Sequence, residues 1–184
     1  MDILNYETIE SEETPFAIRL AYWIKEILNP KSVLDIGCGP GMHVRELRKL
    51  GVQAYGIDQD ERVLGQPYLD QISVFDNKMS ADLIICLEVA EHIDQKLENY
   101  LADCIERATE NTLIWTAAAP GQGGVGHINC KPKEEWEEMF IERDLVRNHQ
   151  MEKALLMYIK SGYHMGWFAN NLLYLEKVSA TQHP

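Results

Sequence analysis

Two acids and two histidines stand where they could do chemistry together: Glu88, Glu91 and His92 at positions i, i+3 and i+4, and His127 farther along. If residues 88–92 form the first turn of a helix, the first three side chains project from one face. A histidine in such a group suits the removal of a proton from a hydroxyl, because its reference pKa lies near neutrality. The same four side chains could instead hold one divalent cation, and two carboxylates with two imidazoles match Mn²⁺, Fe²⁺ or Zn²⁺ better than Mg²⁺. A third reading leaves Glu91 and His92 capping the helix start. His127 and Asn129 close the stretch 120–129, where four glycines in six residues make a mobile loop able to cover a substrate and reopen.

A second constellation lies upstream, where residues 33–41 read Val-Leu-Asp-Ile-Gly-Cys-Gly-Pro-Gly. Apolar residues lead into an acid, three glycines alternate, and a helix-like segment follows. That is a buried strand feeding a tight loop in which backbone must come close to a ligand. Residues 52–58 read as another strand ending in Asp58, 17 residues after Gly41, near the spacing at which a carboxylate meets a ribose. Together these point to a nucleoside cofactor.

The glycine spacing differs from the G-x-G-x-x-G of dinucleotide sites and resembles motif I of the class I S-adenosylmethionine-dependent methyltransferases. The resemblance implies that Gly37, Gly39 and Gly41 line the methionine and ribose parts of that cofactor, with Asp35 organising the loop near its amino group. It also implies that Asp58 takes the ribose hydroxyls and that Asp76 and Asn77 meet the adenine. Cys38, Gln59, Leu87 and Glu88 complete the implied cofactor set. An acid beside the loop suits a ligand bearing an ammonium and a sulfonium and would repel a pyrophosphate.

The run Glu88-Val89-Ala90-Glu91-His92 resembles the E-V-x-E-H signature of ubiquinone-biosynthesis-type O-methyltransferases and the E-x-x-E-H metal motif of small-RNA 2′-O-methyltransferases. The glycine-rich loop with Trp136 and Phe140 behind it resembles small bacterial and phage-type methyltransferases. No Asn/Asp-Pro-Pro-Tyr loop grips an exocyclic amine and no Pro-Cys pair offers a thiol, which disfavours base methylation. The resemblance spans residues 14–176. It implies methyl transfer to an oxygen of a small-molecule hydroxyl or carboxyl acceptor, with His127 or His92 as base. The alternatives are a metal-dependent ribose 2′-O-methyltransferase acting on an RNA end and a catalytically silent cofactor-binding module.

The elements that must position these residues follow from periodicity. Residues 1–13 are acidic and read as loosely ordered, and Thr14-Pro15 reads as the start of a helix that Asn29-Pro30 stops. Strands are expected at 32–36, 52–57, 72–75, 82–87, 113–117 and 171–176, and helices at 41–50, near 60–66, at 97–108 and at 133–143. Strands alternating with helices predict an α/β, Rossmann-like, doubly wound and mostly parallel seven-stranded sheet with helices on both faces. Ligands then sit outside the carboxyl ends of the strands, where strand order reverses. The segments 14–29, 119–133 and 146–169 remain as cover for a substrate.

The length of 184 residues predicts a single methyltransferase domain with its core at 31–178. A formal net charge of −12 argues against wrapping nucleic acid and leaves a small molecule as the expected partner. Four cysteines without C-x-x-C spacing read as reduced thiols in a cytoplasmic protein, and the acidic N-terminal stretch does not read as a signal peptide. Trp115, Trp136, Tyr158, Tyr163 and Trp167 could line an aromatic substrate pocket but read mainly as core, and the acids at 134–138 read as a solvated helix face. His43 reads as a solvent-facing helix residue, and His149 and His164 have no evident partner.

Overall fold

The computed structural model describes residues 6–161 and 166–178, without the side chains of 6–13 and of residue 62. Seven strands, β1 (Val33–Ile36), β2 (Ala54–Asp58), β3 (Leu69–Gln71), β4 (Ala81–Leu87), β5 (Thr109–Thr116), β6 (Leu145–Arg147) and β7 (Leu173–Lys177), form one sheet. Their order is β3-β2-β1-β4-β5-β7-β6. Only β7 runs against its neighbours β5 and β6. The order reverses between β1 and β4, which pair in parallel from Val33 opposite Leu83 to Asp35 opposite Ile85. That places the ends of both strands at one crevice.

The central strands are apolar throughout because both faces are covered. In β4, Ile84 and Cys86 enter one core with Trp115, Trp136 and Phe140, while Leu83 and Ile85 enter the other with Phe16, Leu20 and Trp23. Helices α3 (Glu98–Ala108) and α4 (Lys133–Ile141) supply the first layer, with Leu101, Ile105 and Trp136. Helices α1 (Tyr6–Trp23), α2 (Met42–Lys49) and α5 (His149–Lys160) supply the second, with Phe16, Leu47 and Leu155. No described helix is long and apolar enough to cross a membrane.

Four expectations are corrected. Helix α1 begins at Tyr6, so Thr14 is no N-cap and Pro15 lies inside the helix, where its missing N–H removes one intrahelical bond. After Trp23 the chain continues as a π-helical turn (Ile24–Leu28), and Asn29 ends it in the left-handed conformation. The expected strand at 72–75 is a 3₁₀ turn, Val74–Asp76, because the Ser73 hydroxyl accepts from the Phe75 amide and folds the backbone over. The strand is the preceding Leu69–Gln71. Finally, 146–169 is not loose cover. It holds β6's end and α5, whose Leu155 and Ile159 are buried in the core, and then α6 (Gly166–Asn171). Tyr163 and His164 lie outside the described residues.

Candidate active site

The loop after β1 is built from left-handed glycines: Gly37, Gly39 and Gly41 have φ of 74°, 50° and 74°. A Cβ on Gly37 would lie 2.3 Å from a methyl of Val89, and one on Gly41 2.6 Å from Leu69. Gly41 therefore serves close packing with β3. It lines neither cavity of the cleft. At the end of β2, Asp58 Oδ2 accepts from the Gly39 amide at 2.8 Å and Oδ1 from the Asp60 amide at 2.9 Å. One carboxylate thus fixes the loop to the neighbouring strand while facing the cleft.

Two cavities meet over the switch point. One of about 330 Å³ is lined by Gly37, Asp58, Gln59, Asp60, Ser73 and Phe75, among others. The other, of about 250 Å³, is lined by Asp35, Cys38, His43, Leu87, His127 and Trp167, among others. Gly37, Gly39, Glu88 and His92 belong to both walls, so the two are one cleft of a size suited to a nucleoside ligand. Among the described residues no Lys or Arg lines either part, whereas Asp35, Asp58, Asp60 and Glu88 do. Such a lining repels a polyphosphate and favours a ligand that carries positive charge.

Asp76 and Asn77 are not in this wall. The shift from strand to 3₁₀ turn leaves Asp76 exposed, and Asn77 spends its amide in a closed pair of bonds with Met79. Ser73, Val74 and Phe75 face the cavity in their place.

Of the acids and histidine after β4, Glu88 does not share a helical turn with Glu91 and His92. Glu88 has a left-handed backbone, φ 53°, with its amide donating to Thr116 O at 3.0 Å. Its carboxylate accepts from Gln122 Nε2 at 2.5 Å and Asn171 Nδ2 at 3.2 Å. Glu91 belongs to a separate 3₁₀ turn, Ala90–His92, and is fully buried, with neither carboxylate oxygen bonded to a described residue. Burial first, then the nearby Glu88 carboxylate, pushes its carboxyl well above the usual range. The Glu91 carbonyl accepts from the Ile128 and Asn129 amides at 2.8 and 3.0 Å, which anchors the far end of the glycine loop.

His127 stands at that anchored end, its Nε2 3.9 Å from Glu91 Oε1 and its ring edge-on to His92 with centroids 5.0 Å apart. His92 Nδ1 lies 3.2 Å from Gly126 O. A carbonyl only accepts, so Nδ1 carries the proton and Nε2 is left with a lone pair. Loss of solvent around the ring, then His127, holds the His92 pKa below its ordinary value.

Residues 14–115 match the sequence profile of the methyltransferase domain family. The chain belongs to this family. Its motif I and sheet order match the class I methyltransferase fold. The chain is 26% identical over 85 residues to a probable tRNA (uracil-O(2)-)-methyltransferase of Caenorhabditis briggsae, an alignment covering 43% of this chain and 15% of that one. It is 33% identical over 88 residues to a ubiquinone biosynthesis O-methyltransferase of Pseudomonas fluorescens, covering 39% of this chain and 38% of that protein. The chain thus spans well under half the length of these curated relatives. Its fold is that of the magnesium protoporphyrin IX methyltransferase of Synechocystis, crystallised with S-adenosylmethionine, at a TM-score of 0.70 and 15% identity, covering 97% of this chain and 86% of that one.

Sequence reasoning missed or ranked low three features of this site. His43 is not solvent-facing: it is largely buried beside Asp35. The available signal was its place in the first turn of α2, since helical side chains lean toward the N-terminus and so cover the preceding loop. Trp167 packs against the core, on Phe16 and Phe168, and also lines the cleft. Gln122 and Asn171 had no local signature, because their partner Glu88 is distant in sequence.

Proposed function

We propose that this chain methylates an oxygen of a small-molecule hydroxyl or carboxyl acceptor, with S-adenosylmethionine held along the cleft by Gly37, Gly39, Asp35 and Asp58. Bound there, the cofactor supplies a methyl group on a cationic sulfur, a leaving group that needs no further activation. The residues of the chain then position the acceptor, exclude water and hold its proton. The observation that carries the reading is the place of His92: it lines both parts of the cleft, and its Nδ1 contact with Gly126 leaves Nε2 as acceptor for a hydroxyl proton. His127 packs against it and joins the glycine loop to the reaction side. A carboxyl acceptor would already be ionised and would need only positioning.

The test is transfer of labelled methyl from S-adenosylmethionine to the small-molecule fraction of a cell extract, with His92→Ala and His127→Ala alongside. The expected result is a labelled product that survives ribonuclease and falls about 10²- to 10⁴-fold with loss of the base when the acceptor is a hydroxyl. Label lost on ribonuclease treatment would favour the RNA-end enzyme, which the charge of −12 opposes. No turnover with any fraction would favour the silent module.

One observation favours a second reading of the same cluster. Glu91, His92 and His127 each offer a ligand atom within 4.8 Å of the others. Two imidazoles and a carboxylate suit Mn²⁺, Fe²⁺ or Zn²⁺ and leave positions open for acceptor oxygens. Glu88 stands outside this set, and its oxygens accept from Gln122 and Asn171. Stoichiometric Mn²⁺ binding in calorimetry, lost in His92→Ala, would establish the metal reading.

A further inference from the structure

Of the four tryptophans, Trp23, Trp115 and Trp136 are at most 3% exposed, whereas Trp167 is half-buried and lines the 250 Å³ part of the cleft. Phe16 and Phe168 support its indole with rings inclined at 66° and 88°, and neither stacks flat on it. Helix α6 sets Trp167 and Asn171 at i and i+4, on one side of the helix. Asn171 donates to the Glu88 carboxylate, which lines the same cavity. An aromatic ring and a carboxylate thus belong to one wall, joined by Met42 of α2 and Val125 of the glycine-rich loop.

The charge around this wall has one sign. Asp35, Asp58, Asp60 and Glu88 line the two parts of the cleft, and among the described residues no Lys or Arg does. The side chains not described, those of 1–13, 62, 162–165 and 179–184, add only Arg62 and no Lys to the chain's cations. Bound S-adenosylmethionine brings a sulfonium, an ammonium and a carboxylate, a single net positive charge, so a cleft with four acids stays negative when loaded. An anionic acceptor would enter against that field and a cationic one along it. Tryptophan is the side chain best suited to hold an organic cation over its face, most strongly where water is excluded.

We propose that Trp167 and Glu88 select the methyl acceptor, a hydroxyl compound that carries an organic ammonium. The indole takes the cation with its alkyl groups, and the Glu88 carboxylate balances the charge. The proposal rests on the methyl-transfer reading above and narrows its acceptor from any hydroxyl or carboxyl compound to a cationic alcohol. An ammonium has no lone pair and cannot take the methyl group, so the hydroxyl alone attacks the sulfonium carbon. The O–C bond forms as the S–C bond breaks, the electron pair of the broken bond stays on sulfur, and the hydroxyl proton passes to His92 Nε2. Anchored by its cation, the acceptor keeps its hydroxyl oriented toward His92, which lines the same cavity.

The test is calorimetric titration of the chain saturated with S-adenosylhomocysteine, using three probes of one shape. Choline is positive, 3,3-dimethylbutanol neutral and 3,3-dimethylbutyrate negative. Choline is expected to bind about tenfold more tightly than the neutral alcohol, with the carboxylate weakest. It is also expected to change the tryptophan fluorescence, because Trp167 alone of the four lies half-exposed. Trp167→Leu and Glu88→Gln should each bring choline and the alcohol to within about twofold of one another, while Trp167→Phe keeps part of the preference. The readout is a ratio within one variant, so a general loosening of the site, which weakens both probes, does not imitate it. Equal affinity for choline and the alcohol in the wild type, or no binding of choline, would overturn the proposal. An unchanged ratio in Trp167→Leu would overturn it by placing the cation elsewhere. Failure of the wild-type chain to bind S-adenosylhomocysteine, seen at the loading step, would instead overturn the cofactor reading itself.

Discussion

Asn171 Nδ2 donates to Glu88 Oε1 at 3.2 Å, joining residues 83 positions apart at the inner end of the cleft. The same Asn171 amide nitrogen also reaches Gln122 Oε1 at 2.8 Å, and Gln122 in turn donates to Glu88. The end of β4, the glycine-rich loop and α6 are thereby tied at one carboxylate. The loop is thus fastened near one end by Gln122 and at the other by the Glu91 carbonyl, with His127 beside that second anchor.

Replacing Asn171 with Ala should free this tie. Asn171 is 1% exposed, and its truncation removes the bonds to the half-buried Glu88 and Gln122, at a cost of about 1 kcal/mol. A lowered thermal midpoint together with faster proteolysis of residues 120–129 is expected. An unchanged midpoint would show that the tie contributes nothing.

Gly124→Ala should damage activity more than stability. The new Cβ would lie 2.1 Å from His127 Nε2, and the loop around residue 124 is exposed. His127 must move, and a displacement of about 1 Å near the reacting atoms costs about 10²-fold in rate. Turnover should fall while the melting temperature stays within a degree or two. Full activity would show that His127 has no fixed place in the reaction.

Asp58→Asn should weaken cofactor binding at least about tenfold. Asp58 uses both oxygens on backbone amides, and an asparagine can accept on only one side, so either Gly39 or Asp60 loses its bond. Calorimetry with S-adenosylhomocysteine measures this, and equal affinity in the variant would remove Asp58 from the site.

Stability should decline at alkaline pH with a contribution from Cys38. Burial, then the charges of Asp35 and Asp58, push its thiol well above the ordinary value. The unfolded thiol ionises near pH 8.5, so above that pH the unfolded chain has released a proton that the folded chain keeps. Stability is full below that pH and falls as pH rises, by about 1.4 kcal/mol per pH unit for one thiol. Chemical denaturation between pH 8 and 10 should show a shallower decline for Cys38→Ala than for the wild type, and equal slopes would contradict the account.

Local chemistry was legible in the sequence wherever a short stretch decides it alone. The run 33–41 announces a strand, a left-handed glycine loop and a helix, because apolar continuity and glycine spacing act within a few residues. The sheet, its mostly parallel course and the placing of Asp35, Gly37, Gly39, Asp58, Glu88 and His92 at one cleft follow from strands that alternate with helices. The run 72–75 misled because its β-branched residues favour a strand while the Ser73 hydroxyl folds the backbone into a turn, and periodicity does not register such a competition.

The sequence by itself determined the methyltransferase architecture and the residues from which the site is drawn. Only the tertiary structure decided how they divide. Left-handed backbone at Glu88 turns its carboxylate toward Gln122 and Asn171, while Glu91 enters a separate turn and meets His127. Helix α2 leans His43 back over Asp35. The Glu88 and Glu91 pairings join segments distant along the chain, so no spacing rule reaches them. Packing of the loop, α6 and the sheet against one another sets which acceptors find donors and which are left for a ligand.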